Sequence, residues 1–183
     1  MRPPIEWPDE VDAGEGVVLR APDPIDAEGL TDAITESLDE LRPWMTWAAE
    51  APAVDQQAVR LAVVAEAFAA GADAHYTIFV DGEVGGSIGI HDRLGDPAVR
   101  EIGYWRRTSF AGRGVVTRAV EAVVEVLAAR RFERAVIRCD AGNHRSAAVA
   151  RRTGFTHVRT EDAPERDAPA TTHRTMVWER RLG

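Results

Sequence analysis

Two glycines one residue apart, Gly112 and Gly114, stand in the run Phe110-Ala111-Gly112-Arg113-Gly114-Val115-Val116-Thr117, just ahead of a long apolar stripe. The first N–H groups of a helix have no intrahelical partner, and with the helix dipole they form an anion site. Glycine permits positive φ and lets a phosphate approach the main chain. Arg113 adds a charge-assisted donor, and Arg106, Arg107 and Arg118 flank the same pair. Other phosphate loops fit less well. The chain has no G-x-x-x-x-G-K-[ST] and no G-x-G-x-x-G following a strand in a βαβ unit. Gly82, Gly85, Gly86 and Gly89 fall inside a hairpin and read as bulge or packing glycines.

Charge narrows the ligand. The net charge is −8, which opposes the broad cationic surface that nucleic-acid binding requires. Local arginines in an acidic chain suit a small polyanion. His75, His91, His144, His157 and His173 show no metal-ligand spacing, and with Cys139 as the only cysteine a zinc site is not expected. Cys139 reads as a small buried apolar residue inside a strand. A single cysteine allows no internal disulfide and fits a reducing cytoplasm. No run approaches the ~18 apolar residues of a membrane span, and the first residues do not read as a secretory signal. No membrane partner is expected.

These residues need elements to hold them. The chain has 183 residues, enough for one domain with a real core; residues 1–15, rich in proline and acid, read as an irregular lead-in. Gly16–Arg20 reads as a first strand, and Asp23, Pro24 and Asp26 give helix-start chemistry before Ala27–Leu38. Val54–Ala70 has apolar residues at helical spacing and Gly71 as a stop. His75–Val80 and Val84–His91 flank Asp81-Gly82, a hairpin turn signal. Val99–Trp105 is the strand before the glycine pair. A helix follows from Arg113 to Arg130, apolar at 115, 116, 119, 120, 123, 124 and 127. Arg134–Asp140 is a strand, Asn143–Arg152 a short helix, and Phe155–Glu161 and Thr172–Arg181 are closing strands. Asp162–Ala170 reads as a surface loop. The order predicts an α+β domain with a mixed, mostly antiparallel sheet of six or seven strands. Within it Val99–Trp105 and Arg134–Asp140 should run parallel, joined by a crossover helix.

A second motif, Asn143-His144-Arg145-Ser146-Ala147-Ala148-Val149-Ala150-Arg151-Arg152-Thr153-Gly154-Phe155, reads N-x-x-S-x-x-V-x-x-R-x-G-F. Together with the glycine pair it resembles the GCN5-related N-acetyltransferase (GNAT) superfamily. More narrowly, Leu41–Trp47, Glu101–Trp105, Gly112–Thr117 and Asn143–Phe155 are similar to the RimJ/RimL group of ribosomal-protein N-terminal acetyltransferases. The resemblance spans Val17 to Arg181. It implies a sheet whose central parallel strands splay apart, with the pantetheine of acetyl-CoA in the gap along Gly103, Tyr104 and Trp105. It implies the pyrophosphate on the N–H groups of Gly112, Arg113, Gly114, Val115, Val116 and Thr117, with Arg107 and Arg152 among the cofactor contacts. Asn143 would touch the pantetheine arm, and Ser146 would lie near the sulfur. Ala111 departs from the superfamily, which often has Gln or Arg there, and Val116 stands where Gly or Ala is common.

Acetyl transfer needs a neutral amine. An α-amino group, with pKa about 7.7–8.0, is partly neutral at pH 7, whereas lysine at about 10.4 is not. A modest base suffices, and a carboxylate can serve. Glu101, at the start of the central strand, is one candidate. Glu165 is the other, because the resemblance places a catalytic glutamate about ten residues beyond Gly154-Phe155; Glu161 is its neighbour. A strand N–H at the splay would hold the oxyanion, and Ser146 could donate to the departing thiolate. Trp44 and Trp47 fit either the core or, as the resemblance implies, the acceptor side. The predicted activity is transfer of an acetyl group from acetyl-CoA to a protein N-terminus, with a small amine acceptor or a non-catalytic acyl-CoA sensor as alternatives. The resemblance also makes a homodimer plausible.

Overall fold

The computed structural model describes residues 4–165 and 167–183. Its elements are β1 (Glu10–Asp12), β2 (Val17–Arg20), α1 (Ala27–Leu41), α2 (Val54–Ala69), β3 (Ala74–Val80), β4 (Glu83–His91), β5 (Val99–Arg106), α3 (Val115–Ala129), β6 (Arg134–Asp140), α4 (His144–Arg152), β7 (Thr156–Asp162) and β8 (Arg174–Arg181). The sheet order is β1-β2-β3-β4-β5-β6-β8-β7, and only β5 and β6 pair in parallel. The sheet therefore has eight strands among the described residues, not six or seven. The extra strand corrects the reading of residues 1–15 as irregular. Glu10–Asp12 pairs antiparallel with Val18–Arg20, because the turn through Gly14 and Gly16, both at positive φ, folds the lead-in back as an edge strand.

Helices cover both faces of the sheet. The stripe predicted for α3 is the buried stripe: Val115, Val116, Ala119, Val120, Val123, Val124 and Leu127 pack on Tyr76, Ile78, Ile88, Ile90 and Ile102. On the other face, Leu30, Ala33, Ile34 and Leu41 of α1 join Leu61 of α2 over Phe79, Val84 and Trp105. The turn joining β3 to β4 has Asp81 at φ 51° and Gly82 at φ 87°, as a two-residue hairpin with the sheet's twist demands.

A bulge in this hairpin decides which side chains meet. Near the turn Val80 pairs with Glu83 and Phe79 with Val84, but further on Ile78 pairs with Gly86, so Gly85 is an extra residue in β4. Gly86 sits at φ 147°, where a Cβ would lie 2.3 Å from the Trp105 carbonyl oxygen. The one-residue shift moves every later β4 side chain to the opposite face relative to β3.

Candidate functional site

β5 and β6 separate. Pairing holds at Val99–Arg134, Arg100–Ala135 and Glu101–Val136 and then stops, although β5 continues to Arg106 and β6 to Asp140. β5 keeps its antiparallel partner on the other side as far as Arg106–Gly86. Its backbone from Ile102 onward thus presents hydrogen-bonding groups to a gap. A cavity of about 250 Å³ fills that gap, lined by Gly103, Tyr104, Ile137, Cys139, Asn143 and Ser146, among others.

Gly112 (φ 77°) and Gly114 (φ 71°) end the loop after β5, and Gly114 is the N-cap of α3. A left-handed N-cap favours glycine, since a Cβ at this φ is strained against its own backbone. The first intrahelical bond runs from Arg118 N to the Gly114 carbonyl at 3.0 Å. The N–H groups of Val115, Val116 and Thr117 are left without intrahelical acceptors. A Cβ built on Gly112 meets nothing within 4 Å, and one on Gly114 meets only the Arg118 side chain at 3.9 Å, so the loop faces open space. The arginines around it are engaged. Arg113 pairs with Asp81 at 2.6 Å, Arg107 with Glu36 at 2.5 Å, Arg106 with Glu40 at 3.1 Å, and Arg118 with Glu15. Arg107 lines neither of the two cavities that meet at β5, and Arg152 is exposed in the last turn of α4 and lines neither as well.

Asn143 caps α4, accepting from Ser146 N at 3.1 Å, and lines the gap as well. The Ser146 hydroxyl lies 3.0 Å from the Tyr104 hydroxyl, which also donates to the Ser146 carbonyl at 3.2 Å. Burial pushes the Tyr104 phenol well above its usual range, so it stays protonated and donates.

A larger cavity, about 1120 Å³, adjoins the gap on the α1/α2 face. Trp44, Met45, Gly103, Tyr104, Trp105 and Asp140 line both spaces. Trp47 lines the larger one, half exposed, with its ring 6.0 Å from that of Trp105. Gln57, almost wholly buried, lines this cavity, and its buried Nε2 has no hydrogen-bond partner among the described residues. Glu165 and Asp167 border it from the β7–β8 loop. Among the described residues, hydrogen bonds to Asp140 and Pro43 help hold that loop. Asp140 accepts from Thr171 Oγ1 at 2.9 Å and from Thr172 N and Oγ1 at 3.0 and 2.8 Å, while Ala170 N donates to the Pro43 carbonyl at 2.9 Å. Burial alone would raise the Asp140 carboxyl, but the bonds from Gly142 and Thr172, with Thr171, outweigh it and hold it below the usual range.

The two glutamates separate in space. Glu165 opens on the large cavity, whereas Glu101 is 9% exposed, lines neither space, and has a buried Oε2 without a hydrogen-bond partner. Glu161 is taken up by ion pairs with Arg138 at 3.0 Å and Arg159 at 2.9 Å, the Arg159 bond foremost in holding its carboxyl below the usual range.

Sequence reasoning missed a cluster. His75 and His91 line the large cavity and Asp73 converges with them, the donor atoms of all three lying within 4.8 Å of one another. His91 Nδ1 is 2.9 Å from Asp73 Oδ2, and the two imidazoles meet edge to face at 4.8 Å. Without the bulge at Gly85, the hairpin register would set His75 and His91 on opposite faces, so spacing alone could not pair them.

A mixed sheet opened between its parallel strands, with a glycine-capped helix start below the opening, defines a fold built to hold an extended anionic ligand against β5. The chain belongs to the acetyltransferase (GNAT) domain family, whose model matches residues 17–156. It is 28% identical over 145 residues to the putative ribosomal N-acetyltransferase YdaF of Bacillus subtilis (strain 168), covering 77% of this chain and 78% of that protein. Among solved structures it is similar to RimL, a ribosomal L7/L12 alpha-N-protein acetyltransferase in complex with coenzyme A. That match has TM-score 0.86 and 22% identity, over 94% of this chain and 98% of the other. It is similar too to the microcin C7 self-immunity acetyltransferase MccE in complex with acetyl-CoA and AMP (TM-score 0.87, 19% identity, 96% and 98% covered). A third is Mycobacterium smegmatis RimJ in complex with CoA-disulfide (TM-score 0.85, 22% identity, 97% and 90% covered).

Proposed function

We propose that this chain, as a single domain over residues 1–183, moves an acetyl group from acetyl-CoA to the N-terminal α-amino group of a protein, of the ribosomal-protein type. The observation that carries the reading is the junction at Gly103–Trp105, where the gap between β5 and β6 opens into a much larger acceptor cavity. One space suits a thin pantetheine arm and the other a chain end. The similarity to YdaF, RimL and RimJ supports the acceptor class, and the coenzyme A in two of these structures supports the cofactor.

The residues present fit acetyl-CoA. The open side of Gly112 and Gly114 and the free N–H groups of Val115–Thr117 receive the pyrophosphate, and the unpaired edge of β5 bonds the pantetheine amides. When bound, the thioester supplies an activated acyl carbon and a leaving thiolate. Asn143 steadies the arm, and the Ser146 hydroxyl, oriented by Tyr104, donates to the sulfur. Trp44 and Trp47 wall the acceptor channel. The sequence points to Glu101 or Glu165 for the amine. Glu165, open on the cavity, offsets the incoming ammonium charge, while Glu101, on the same sheet face as His91, lines neither space.

The resemblance supports a cytoplasmic location and a homodimer, which sedimentation would check. The function is tested by thiol release from acetyl-CoA, with a panel of peptide N-termini set against a panel of small amines. Release with peptides is expected. Release with small amines alone would overturn the acceptor class, and coenzyme binding without any release would make the chain a sensor.

A further inference from the structure

The floor of the acceptor cavity carries a dyad that neither the family match nor the glutamates account for. His91 closes β4, and Asp73 stands just ahead of β3. Asp73 Oδ2 lies 2.9 Å from His91 Nδ1, and Asp73 Oδ1 accepts from Asp92 N at 2.9 Å, which fixes the carboxylate. An ionised carboxylate only accepts, so Nδ1 must carry the proton and the neutral ring keeps its lone pair on Nε2. Nε2 points where a base is needed. It lies 2.6 Å from a Cβ built on Gly89 and 3.6 Å from one built on Gly103. Gly89 and Gly103 are cross-strand partners, and Gly103 lines both cavities. Two glycines side by side clear the sheet face so that the imidazole can lie over it at the junction. A base, an orienting carboxylate and a cavity that reaches the splayed strand together make the arrangement of a general base.

We propose that His91, oriented by Asp73, is the catalytic group that takes the proton from the acceptor amine. This rests on the acetyl-transfer reading above. The acceptor enters as R–NH3+, and His91 Nε2 takes one proton, directly or through one water. The freed nitrogen lone pair bonds the thioester carbonyl carbon. The C–S bond breaks with its electron pair on sulfur, and the second N–H proton passes to that sulfur through the Ser146 hydroxyl. His91 then returns its proton to solvent, so the sum is R–NH3+ and thioester to amide, thiol and H+.

The charges around the ring agree. Burial lowers the His91 pKa first of all, and Arg93 adds to this. The Asp73 bond opposes it, and so does Glu101, its β5 cross-strand partner. His75 of β3, held at about 4 chiefly by burial and then by His91, Arg60 of α2 and Arg93, remains neutral and does not compete for the proton. Glu165 and Asp167 border the same cavity from the loop. The cations Arg60 and Arg93 also disfavour a metal ion among these side chains.

The experiment is the pH profile of kcat and kcat/KM for peptide acetylation by wild type, His91→Gln, His91→Gly and Asp73→Asn, each checked for folding by circular dichroism. His91→Gln should lower kcat about 100-fold or more, with the KM for acetyl-CoA unchanged and the acid limb of the profile moved up to the amine's own pKa of about 7.7–8.0. Asp73→Asn should shift the acid limb to lower pH, because the carboxylate that raises the His91 pKa is lost. Added imidazole should restore turnover to His91→Gly. Should His91→Gln not fold, Gly89→Ala takes its place, since its methyl occupies the space beside Nε2 and must displace the ring. Wild-type profiles in a folded His91→Gln, or no rescue of His91→Gly by imidazole, overturn the dyad. Wild-type protein inactive on every acceptor would instead overturn the acetyltransferase reading.

Discussion

The Tyr104 hydroxyl sits 3.0 Å from the Ser146 hydroxyl, joining β5 to α4 across the mouth of the gap. Burial keeps the phenol protonated, so its one hydrogen goes either to the Ser146 carbonyl or to the Ser146 hydroxyl, and in the second arrangement the serine keeps its own hydrogen to pass on. Ser146→Ala should lower kcat while sparing the Kd for acetyl-CoA, and Tyr104→Phe should lower it less. In a double-mutant cycle the two should couple, with the double variant no slower than Ser146→Ala. Additive losses would mean that Tyr104 acts elsewhere.

Gly114→Ala places a Cβ at φ 71°, a strain of about 1–2 kcal/mol, on the side where the loop is open. Calorimetry should show acetyl-CoA affinity reduced at least about tenfold (about 1.4 kcal/mol), with a modest fall in melting temperature. Unchanged affinity in a folded variant would move the pyrophosphate away from this loop.

Asn143 both caps α4 and faces the gap. Asn143→Ala should cost about 1 kcal/mol of stability and raise the KM for acetyl-CoA more than that for the acceptor. Asn143→Asp keeps an oxygen for the Ser146 N–H and should restore stability. If it restores the acetyl-CoA KM as well, the cap is the whole role.

Asp140 gives a pH-dependent term. Its folded pKa is depressed, so its contribution is full above the unfolded value of about 3.9 and is lost as pH falls through the lower folded value. Asp140→Asn should melt earlier than wild type at pH 7, with the difference vanishing in strong acid. A constant difference across that range would assign the effect to packing.

Glu165→Gln should raise the KM for the acceptor with little change in kcat, whereas Glu161→Gln, at a side chain that pairs with Arg138 and Arg159, should leave both unaltered. Steady-state kinetics with one peptide acceptor decides it. A kcat loss in Glu165→Gln as large as that in His91→Gln would return proton removal to the loop.

Much of this was legible in the chain, for physical reasons. The α3 stripe and the Asp81-Gly82 turn are local signals, and the structure follows both. The splay between β5 and β6 entered through the resemblance, not through periodicity. The edge strand Glu10–Asp12 was not legible, because three exposed or half-exposed residues carry no pattern. The Asp73–His91 dyad was hidden for a sharper reason. It depends on one bulge residue, and a shift of register by one is silent in composition, charge and hydropathy alike. The arginines carry a second role that the sequence did not show. Near the glycines they form ion pairs to Glu36, Glu40, Asp81 and Glu15.

The loop beside the large cavity is fastened unequally. At Thr171 and Thr172 it is clamped by three hydrogen bonds to one buried carboxylate, while at Ala170 a single bond reaches across to Pro43. Such a seam parts at its weak stitch first. Separating Ala170 from Pro43 breaks no strand pairing and disturbs no core side chain, so it belongs to the cheapest class of opening a fold permits. Opening at that bond would leave the sheet paired, and amide exchange at Ala170 is the measurement that would report it.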